Sequence, residues 1–526
     1  MAAVKPLSLT ANSVINIAAY AAAIVITFFI SPIIIRSLGD ARYGVWSLIA
    51  EMTGYSSLLD IGLRGAVTYY VAFHSSRKDE NELRSVIASA FWTLLALGVL
   101  VAAVGIPFSL IFPHIFNIES PDQAEASISF LILTVTIALT LPGSLSHAIL
   151  VGLRRQAYAT LPDISIRIIS AITIGVSLGY GFGLVGLSII VFMTRFSTWT
   201  IQAMLVYRCC PELTLAVTSM RWSAVQRLWM YGSKNFIINI SQLMITRLDV
   251  VVVGLFLGVE AVTYYTIGAT LVVVFAQGVA SITQSYTPYF SHDSGAGRLD
   301  ELQVRFLHGV RTSSLFSLIL AAGLFMYGNT FISLWIGPNY VTGAWTARSD
   351  YVLYILLSAQ LLKSLQHISW QLLLGTRQVR VLMWMCVTEA AFNLILSLVL
   401  VRWLGMVGVA LGTFVPAALL YIGFLPWYMM RQYRLKSFDL LLAAPRPGYC
   451  AGLSVALSSW LLLSLHRPHN WAEFFGSCCL VGGIALVVTW RFGMANVERA
   501  AMIDGLRHIG SKSQFSNSRF RSPDGM

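Results

Sequence analysis

Hydrophobic residues along the chain occur in long runs, separated by short stretches that contain charged or turn-forming residues. A helix needs about 20 apolar residues to cross the hydrocarbon core of a bilayer. The runs predict fourteen transmembrane helices near residues 12–36, 43–72, 85–111, 126–150, 158–179, 184–207, 232–257, 261–290, 306–328, 350–374, 381–401, 405–429, 448–465 and 472–490. The pattern therefore predicts an all-α, polytopic membrane protein.

The composition indicates the same class of protein. Of the 526 residues, 57% are hydrophobic and only 11% are charged, and the mean hydropathy is +0.73. A soluble chain of this size needs more polar surface than these residues supply. The N-terminal apolar run continues to Ile35, so we expect a first transmembrane helix there and not a cleaved signal peptide.

The positive charges are distributed asymmetrically between the two sets of loops. Of the 35 Lys and Arg residues, 25 fall in one set of loops and the termini, whereas the alternate loops hold only Arg36, Arg42, Arg348, Arg402 and Arg467. The positive-inside rule then predicts that both termini are cytoplasmic. Topology and attraction to anionic headgroups explain the net charge of +12, so we expect membrane lipids and no nucleic acid as partners.

The chain also contains an internal repeat. Leu38-Gly39 matches Leu257-Gly258 at an offset of 219, and LVGLRRQ at 150–156 matches LLLGTRQ at 372–378 at an offset of 222. Six predicted spans separate the matching segments. Because six is an even number of crossings, the two repeats have the same orientation in the membrane. We therefore predict a six-helix lobe at 1–220, a second six-helix lobe at 221–436, two further transmembrane helices at 437–495 and a cytoplasmic, disordered tail at 496–526.

Five basic residues lie inside the predicted spans, where ionisable groups are costly and usually functional. They are Arg64, Arg167, Arg195, Arg247 and Lys363. In SLLDIGLRGAVTYYV, Asp60 and Arg64 are four residues apart, so they share one helix face and can pair. Asp163 and Arg167 repeat this spacing, but local pairing does not account for all five cations. We expect an anionic ligand to meet them.

Two motifs carry a resemblance to a known family. SPIIIRSLGDARYGVWSLI at 31–49, followed by YSSLLDIGLRGAVTYYVA at 55–72, resembles the polysaccharide transport branch of the multidrug/oligosaccharidyl-lipid/polysaccharide exporter superfamily. The resemblance extends over the whole chain through RLDVVVVGLFLG and WQLLLGTRQ in the second repeat. It implies a bacterial inner-membrane flippase that moves undecaprenyl-diphosphate-linked oligosaccharides to the periplasmic leaflet for O-antigen, capsule or exopolysaccharide synthesis. A polymerase and a chain-length regulator are the protein partners it implies.

The resemblance also implies a cationic central cavity that opens to each side of the membrane in turn. Its substrate-binding residues would be Arg64, Asp60, Arg167, Arg195, Arg247 and Lys363. Alternating access opens the cavity to each side of the membrane in turn, but it does not determine the direction of net transport. The candidates for coupling to protons or sodium ions are Glu51, Asp163, Asp249 and Glu389, with Asp60 as a further carboxylate, and the membrane potential is an alternative driving force.

Two rival functions have distinct sequence signatures. A multidrug or cation antiporter of the same superfamily would hold cationic drugs through acidic residues, and an envelope polysaccharide polymerase usually shows a large outer loop, whereas the predicted outer loops here are short. The sequence has no Gly-Lys dipeptide, no CxxC and no HExxH, so it predicts neither a P-loop nor a metal site. We expect no cofactor and no enzymatic activity.

Overall fold

The computed structural model describes residues 9–54, 63–77, 79–153, 155–209, 219–437 and 439–493. Their regular secondary structure is helical, which confirms the predicted all-α class. The helices are α1 (Leu9–Leu38), α2 (Asp40–Gly54), α3 (Leu63–Arg77), α4 (Glu80–Ile115), α5 (Ser120–Gly143), α6 (Leu145–Gly152), α7 (Gln156–Gly179), α8 (Leu184–Cys209), α9 (Trp222–Leu257), α10 (Val259–Thr283), α11 (Tyr286–Gly295), α12 (Leu299–Trp335), α13 (Ser349–Leu365), α14 (His367–Gly375), α15 (Val379–Ala418), α16 (Leu425–Gln432), α17 (Arg446–Leu465) and α18 (Trp471–Val488).

Ten helical segments within the described residues are long and apolar enough to cross a membrane, so the protein is a multi-pass membrane protein. One of them, Val379–Gln432, has 54 residues. At 1.5 Å per residue it extends for roughly 80 Å, much more than one bilayer crossing. Gly405, with a φ of 55°, interrupts it between the predicted spans 381–401 and 405–429. The total of fourteen spans remains a prediction.

Local hydrogen bonds and glycine turns fix where several helices begin and end. The Asp79 side chain accepts a hydrogen bond from the Glu82 amide at the start of α4. Gly39 ends α1 with a φ of 77°, and Gly258 ends α9 with a φ of 87°. Glycine adopts this left-handed conformation without the strain that a Cβ introduces. The repeated sequence at offset 219 therefore also produces a repeated backbone turn.

The chain divides into two compact units. The first unit comprises Met1–Val274, Trp335–Leu356 and Arg380–Pro416, and the second comprises Phe275–Leu334, Leu357–Val379 and Ala417–Met526. In the first unit, α3, α4 and α6 enclose a core of buried residues that includes Leu94 and Leu150. In the second, Tyr327 of α12 packs against α17 and α18. These units are not the two sequence repeats, and the lobe boundaries drawn from the repeat remain a prediction.

Candidate functional site

Three of the predicted cations come together in the first unit. Arg64 lies near the start of α3, Arg167 lies in the middle of α7, and Arg195 lies in the middle of α8. Arg195 lies near enough to Arg167 and to Arg64 to interact electrostatically with both, so three separate helices contribute positive charge to one region. Each of the three residues has some surface that other protein atoms do not cover. We call these three residues the arginine cluster.

One carboxylate among the described residues accompanies the arginine cluster. Asp163 lies one helical turn before Arg167 on α7 and interacts electrostatically with all three arginines and with His147 of α6. The Gln202 side chain of α8 donates through Nε2 to the Asp163 carboxylate at 3.5 Å and to the Ala159 carbonyl oxygen at 2.8 Å. The described charged and titratable groups at this place are thus three guanidinium groups, one carboxylate and the imidazole of His147. The arrangement can bind an anion that carries more than one negative charge.

The remaining predicted binding residues have different surroundings. Arg247 of α9 forms an ion pair with Glu51 of α2, with 2.5 Å between Nη1 and Oε2. Gly54 permits this pair, because a Cβ at that position would overlap the Arg247 guanidinium. Lys363 belongs to the second unit and is half-buried on α13. Asp60 lies outside the described residues, so its pairing with Arg64 remains a prediction, as do the substrate roles of Arg247 and Lys363.

Asp249 of α9 forms the centre of a buried polar network in the first unit. Its Oδ2 accepts hydrogen bonds from the hydroxyl groups of Tyr265 at 2.8 Å and Thr413 at 2.6 Å, and its Oδ1 accepts one from Asn393 Nδ2 at 3.5 Å. Thr413 Oγ1 also accepts from Asn393 Nδ2 at 2.8 Å. Only 4% of Asp249 and 1% of Asn393 is exposed. Four neutral or anionic oxygen-bearing side chains from α9, α10 and α15 therefore surround one buried point.

The other coupling candidates differ from Asp249. Glu51 is engaged by the Arg247 guanidinium, and Asp163 accompanies the arginine cluster. Glu389 of α15 is 1% exposed. Asp249 differs in accepting hydrogen bonds from three neutral side chains, those of Tyr265, Thr413 and Asn393. A carboxylate in neutral surroundings gains most from a bound proton or cation.

A second set of contacts joins the two sequence repeats within the first unit. Asp40, which follows the Gly39 turn in the first repeat, accepts a hydrogen bond from Tyr340 through Oδ1 and another from Thr263 through its carbonyl oxygen. Gly44 packs directly against Val259, because a Cβ there would overlap the Val259 carbonyl oxygen. We call the Asp40 hydrogen bonds and the Gly44–Val259 approach the repeat-joining contacts. They bring the two sequence repeats together within the first unit.

Several of these residues were not among the predicted site residues. His147 and Gln202 each lie alone in an apolar segment, and the sequence does not show which helices they face. Asn393 is an amide within an otherwise apolar stretch of α15, a signal that could have placed it beside a buried carboxylate. Tyr340 was predicted only as part of a loop between two helices.

The sequence matches a known protein family over most of the helices that carry the residues described above. A family model described as "Polysaccharide biosynthesis protein" matches residues 33–344, and the chain belongs to this family. The match covers the whole arginine cluster and Asp249. It confirms the polysaccharide family that the two N-terminal motifs indicated.

Two curated relatives have similar sequences. A putative O-antigen transporter of Shigella flexneri is 22% identical over 338 residues, which are 64% of this chain and 78% of the relative. A probable low-salt glycan biosynthesis flippase of Haloferax volcanii is 23% identical over 393 residues, which are 74% of this chain and 75% of the relative.

Two solved structures have the same fold. The lipid II flippase MurJ in its inward closed conformation matches with a TM-score of 0.68 at 13% identity, over 91% of this chain and 98% of that one. A multidrug resistance MATE family transporter of the MOP superfamily in an inward-facing conformation matches with a TM-score of 0.66 at 14% identity, over 78% and 96% of the chains. At these identities the likeness concerns the fold alone.

Proposed function

We propose that the protein is a flippase for polyprenyl-diphosphate-linked oligosaccharides and that the arginine cluster binds the diphosphate group. The observation that carries this proposal is the convergence of Arg64, Arg167 and Arg195 from three helices around a single described carboxylate. The relatives named as an O-antigen transporter and a glycan biosynthesis flippase support the substrate class. Transport and not catalysis is the activity of such relatives.

The chemistry of the arginine cluster suits a diphosphate. Guanidinium groups form charge-assisted, often bidentate hydrogen bonds to phosphate oxygens. Each phosphate of a polyprenyl diphosphate sugar carries a negative charge, and guanidinium groups from three helices can contact these charges. A cationic drug would be repelled by the same groups. The cluster therefore favours a flippase over a multidrug or cation antiporter.

We infer that the three arginines face a water-accessible cavity and not lipid. Guanidinium groups inside a membrane protein are costly when they face lipid and are tolerated when they face water or a counter-ion. In this proposal the oligosaccharide follows the diphosphate through the water-filled path, and the polyprenyl chain remains in the hydrocarbon phase. The arginines then lower the free-energy barrier to moving the headgroup across the membrane. The charged headgroup is the part of the lipid that is most costly to transfer into the hydrocarbon core.

We further propose that Asp249 couples transport to a cation, either a proton or a sodium ion. Its carboxylate, the Tyr265 and Thr413 hydroxyl oxygens and the Asn393 side chain can supply oxygen ligands at one buried point. Asn393 Oδ1 is buried and has no hydrogen-bond partner within the part of the chain that the structure describes. A bound sodium ion would satisfy this oxygen and neutralise Asp249, since sodium and other hard cations prefer oxygen ligands.

The orientation proposed from the basic loops places the repeat-joining contacts on the periplasmic side. That end carries Arg36 in the last turn of α1, Arg42 in the first turn of α2 and Arg348 just before α13, which belong to the sparsely charged set. In this orientation the end of the first unit that holds the repeat-joining contacts faces the periplasm, and we propose that these contacts close it in the described state. The headgroup would enter from the cytoplasmic leaflet and leave when the repeat-joining contacts open. The inner membrane of a bacterium is the proposed location.

The experiment is a flipping assay with purified protein in proteoliposomes. Three labelled compounds are compared at equal concentration: a polyprenyl-diphosphate oligosaccharide, the polyprenyl monophosphate carrying the same sugars, and a cationic dye. We expect rapid flipping of the diphosphate lipid, at least about tenfold slower flipping of the monophosphate lipid, since one phosphate charge is lost, and no dye transport. Dye transport without lipid flipping would overturn the proposal in favour of an antiporter.

A further inference from the structure

Asp163 stands in an unusual electrostatic position for a group near an anion site. It interacts with Arg64, Arg167, Arg195 and His147, which come from α3, α7, α8 and α6. The helices packed against α7 are α1, α6 and α8. The ionisable side chains on them are Tyr20 and Arg36 on α1, His147 on α6, and Arg195, Tyr207, Arg208 and Cys209 on α8. No second carboxylate is described on these helices to share the role of Asp163.

A buried amide holds Asp163 in place. Gln202 is 2% exposed, and its Nε2 donates both to Asp163 Oδ1 and to the Ala159 carbonyl oxygen one turn earlier on α7. Arg195 lies two turns before Gln202 on the same helix, and Arg167 lies one turn after Asp163. The single amide therefore fixes α8 against α7 at the level where the carboxylate meets the arginine cluster.

Between transport events the arginine cluster contains three like charges. A carboxylate among them reduces their mutual repulsion, and a bound diphosphate reduces it in the same way. When the diphosphate arrives, Asp163 becomes a negative charge beside a negative ligand and weakens its binding. One carboxylate thus stabilises the empty site and destabilises the loaded site.

We propose that Asp163 is a built-in counter-anion that occupies the arginine cluster between substrates and accelerates release of the diphosphate headgroup. Gln202 and His147 are positioning residues that hold Asp163 in reach of the arginines. This inference rests on the proposed flippase function and goes beyond it, because it assigns the rate of headgroup release to a carboxylate within the binding site. A carrier that binds its substrate too tightly cannot release it quickly.

The inference predicts an unusual combination of effects for Asp163→Asn. This change keeps the size of the side chain and its capacity to accept from Gln202, but it removes the negative charge. Binding of the diphosphate should become about tenfold tighter, because one repulsive charge beside the ligand is lost. Flipping should become slower because the release step slows. In the kinetics, KM and the maximal flipping rate should fall together, whereas a damaged protein would show a lower rate with an unchanged or higher KM.

The test uses full-length protein in two measurements. Calorimetric titration with inorganic pyrophosphate gives the affinity of the headgroup site, and flipping of the polyprenyl-diphosphate oligosaccharide gives KM and the maximal rate. Asp163→Glu, which restores the charge, should return both quantities towards those of the unaltered protein. Asp300→Asn removes an exposed carboxylate of α12 in the second unit and serves as the matched control. His147→Gln and Gln202→Glu test the positioning residues, and each should shift KM and rate by less than Asp163→Asn.

The outcomes distinguish the inference from the proposed function. If the unaltered protein neither binds pyrophosphate nor flips the lipid, the proposed function fails. If it does both, and Asp163→Asn binds pyrophosphate no more tightly than Asp300→Asn, only the role of Asp163 is wrong. Tighter binding with slower flipping in Asp163→Asn, and near-normal values in Asp163→Glu, supports the inference.

Discussion

The Tyr340 hydroxyl donates a hydrogen bond of 2.5 Å to Asp40 Oδ1, across 300 residues of sequence. Asp40 belongs to the first sequence repeat and Tyr340 to the second. Thr263, also in the second repeat, donates to the Asp40 carbonyl oxygen at 2.6 Å. Burial, followed by the hydrogen bond to Asp40, raises the pKa of Tyr340 above its ordinary value, so the hydroxyl keeps its proton at physiological pH. One aspartate therefore joins the repeats through both its side chain and its backbone.

Tyr340→Phe should loosen this end of the first unit without unfolding it. The ring remains, including its packing against Tyr264 at 4.9 Å between centroids, but the hydrogen bond to Asp40 is lost. Loss of one hydrogen bond to a charged group corresponds to about 1.5–3 kcal/mol in the closed state, or roughly tenfold to a hundredfold in population. Amide hydrogen exchange at residues 40–44 and 336–341 should increase. The same exchange should be constant from about pH 5 to 9 in the unaltered protein after correction for the intrinsic rate, because Tyr340 stays protonated throughout. Unchanged exchange in Tyr340→Phe would show that the hydrogen bond does not hold this end closed.

Gly44→Ala should reduce flipping strongly. A Cβ at this position would overlap the Val259 carbonyl oxygen, so α2 and α10 could not approach as they do in the structure. The closed end would then be destabilised and the transport cycle interrupted, with a loss of at least about tenfold in rate for a shift of 1.4 kcal/mol. Gly175→Ala on α7 is the matched control, because a Cβ there has no atom within 4 Å. Equal rates for the two variants would contradict a role for this helix contact in transport.

The Glu51–Arg247 ion pair should show measurable coupling. Both side chains are about a third exposed, at 30% and 31%, so solvent screening limits the pair to about 0.5–1 kcal/mol. Thermal unfolding of Glu51→Gln, Arg247→Gln and the double variant forms a double-mutant cycle. We expect the double variant to be more stable than the sum of the single losses predicts. If the stability losses of the two single variants add up to that of the double variant, the ion pair contributes no coupling energy, and Arg247 is available for another partner.

Asp249→Asn should uncouple transport from the driving cation. The amide preserves the size of the side chain and can still accept from Tyr265 and Thr413, but the negative charge that attracts a cation is gone. Flipping in proteoliposomes is measured with a sodium gradient, with a proton gradient, and with neither. The unaltered protein should respond to one gradient, and the variant should flip at the same low rate in all three conditions. A variant that still responds to the gradient would place the coupling site elsewhere, with Glu389 as the next candidate.

The sequence was sufficient for the all-α membrane class because membrane helices depend on long apolar runs, and such runs are readable without tertiary information. It also located the arginine cluster in part, since charges inside apolar spans are rare and therefore visible. Which charges meet was not predictable. Arg247 and Lys363 were grouped with the cluster residues, yet Arg247 pairs with Glu51, 196 residues away, and Lys363 belongs to the second unit. His147 and Gln202 became candidates only when the packing of α6, α7 and α8 was known.

The pairing of Asp60 with Arg64 was predicted from their spacing alone, and Asp60 lies outside the described residues. The structure adds that Arg64 interacts electrostatically with Asp163, which is distant in sequence. Spacing on one helix shows local partners only. Partners from other helices depend on packing, which a pattern within one span does not encode.

The central claim is that the arginine cluster carries the diphosphate headgroup across the membrane. The most direct measurement is the flipping rate of a polyprenyl-diphosphate oligosaccharide in proteoliposomes that contain Arg64→Gln, Arg167→Gln or Arg195→Gln, at equal amounts of folded protein. Arg298→Gln, which removes an exposed guanidinium of the second unit, is the control. Each cluster variant should lose at least about tenfold in rate, since each removes one charge-assisted contact to phosphate, and the control should match the unaltered protein. Cluster variants that flip the lipid as fast as Arg298→Gln would contradict the account.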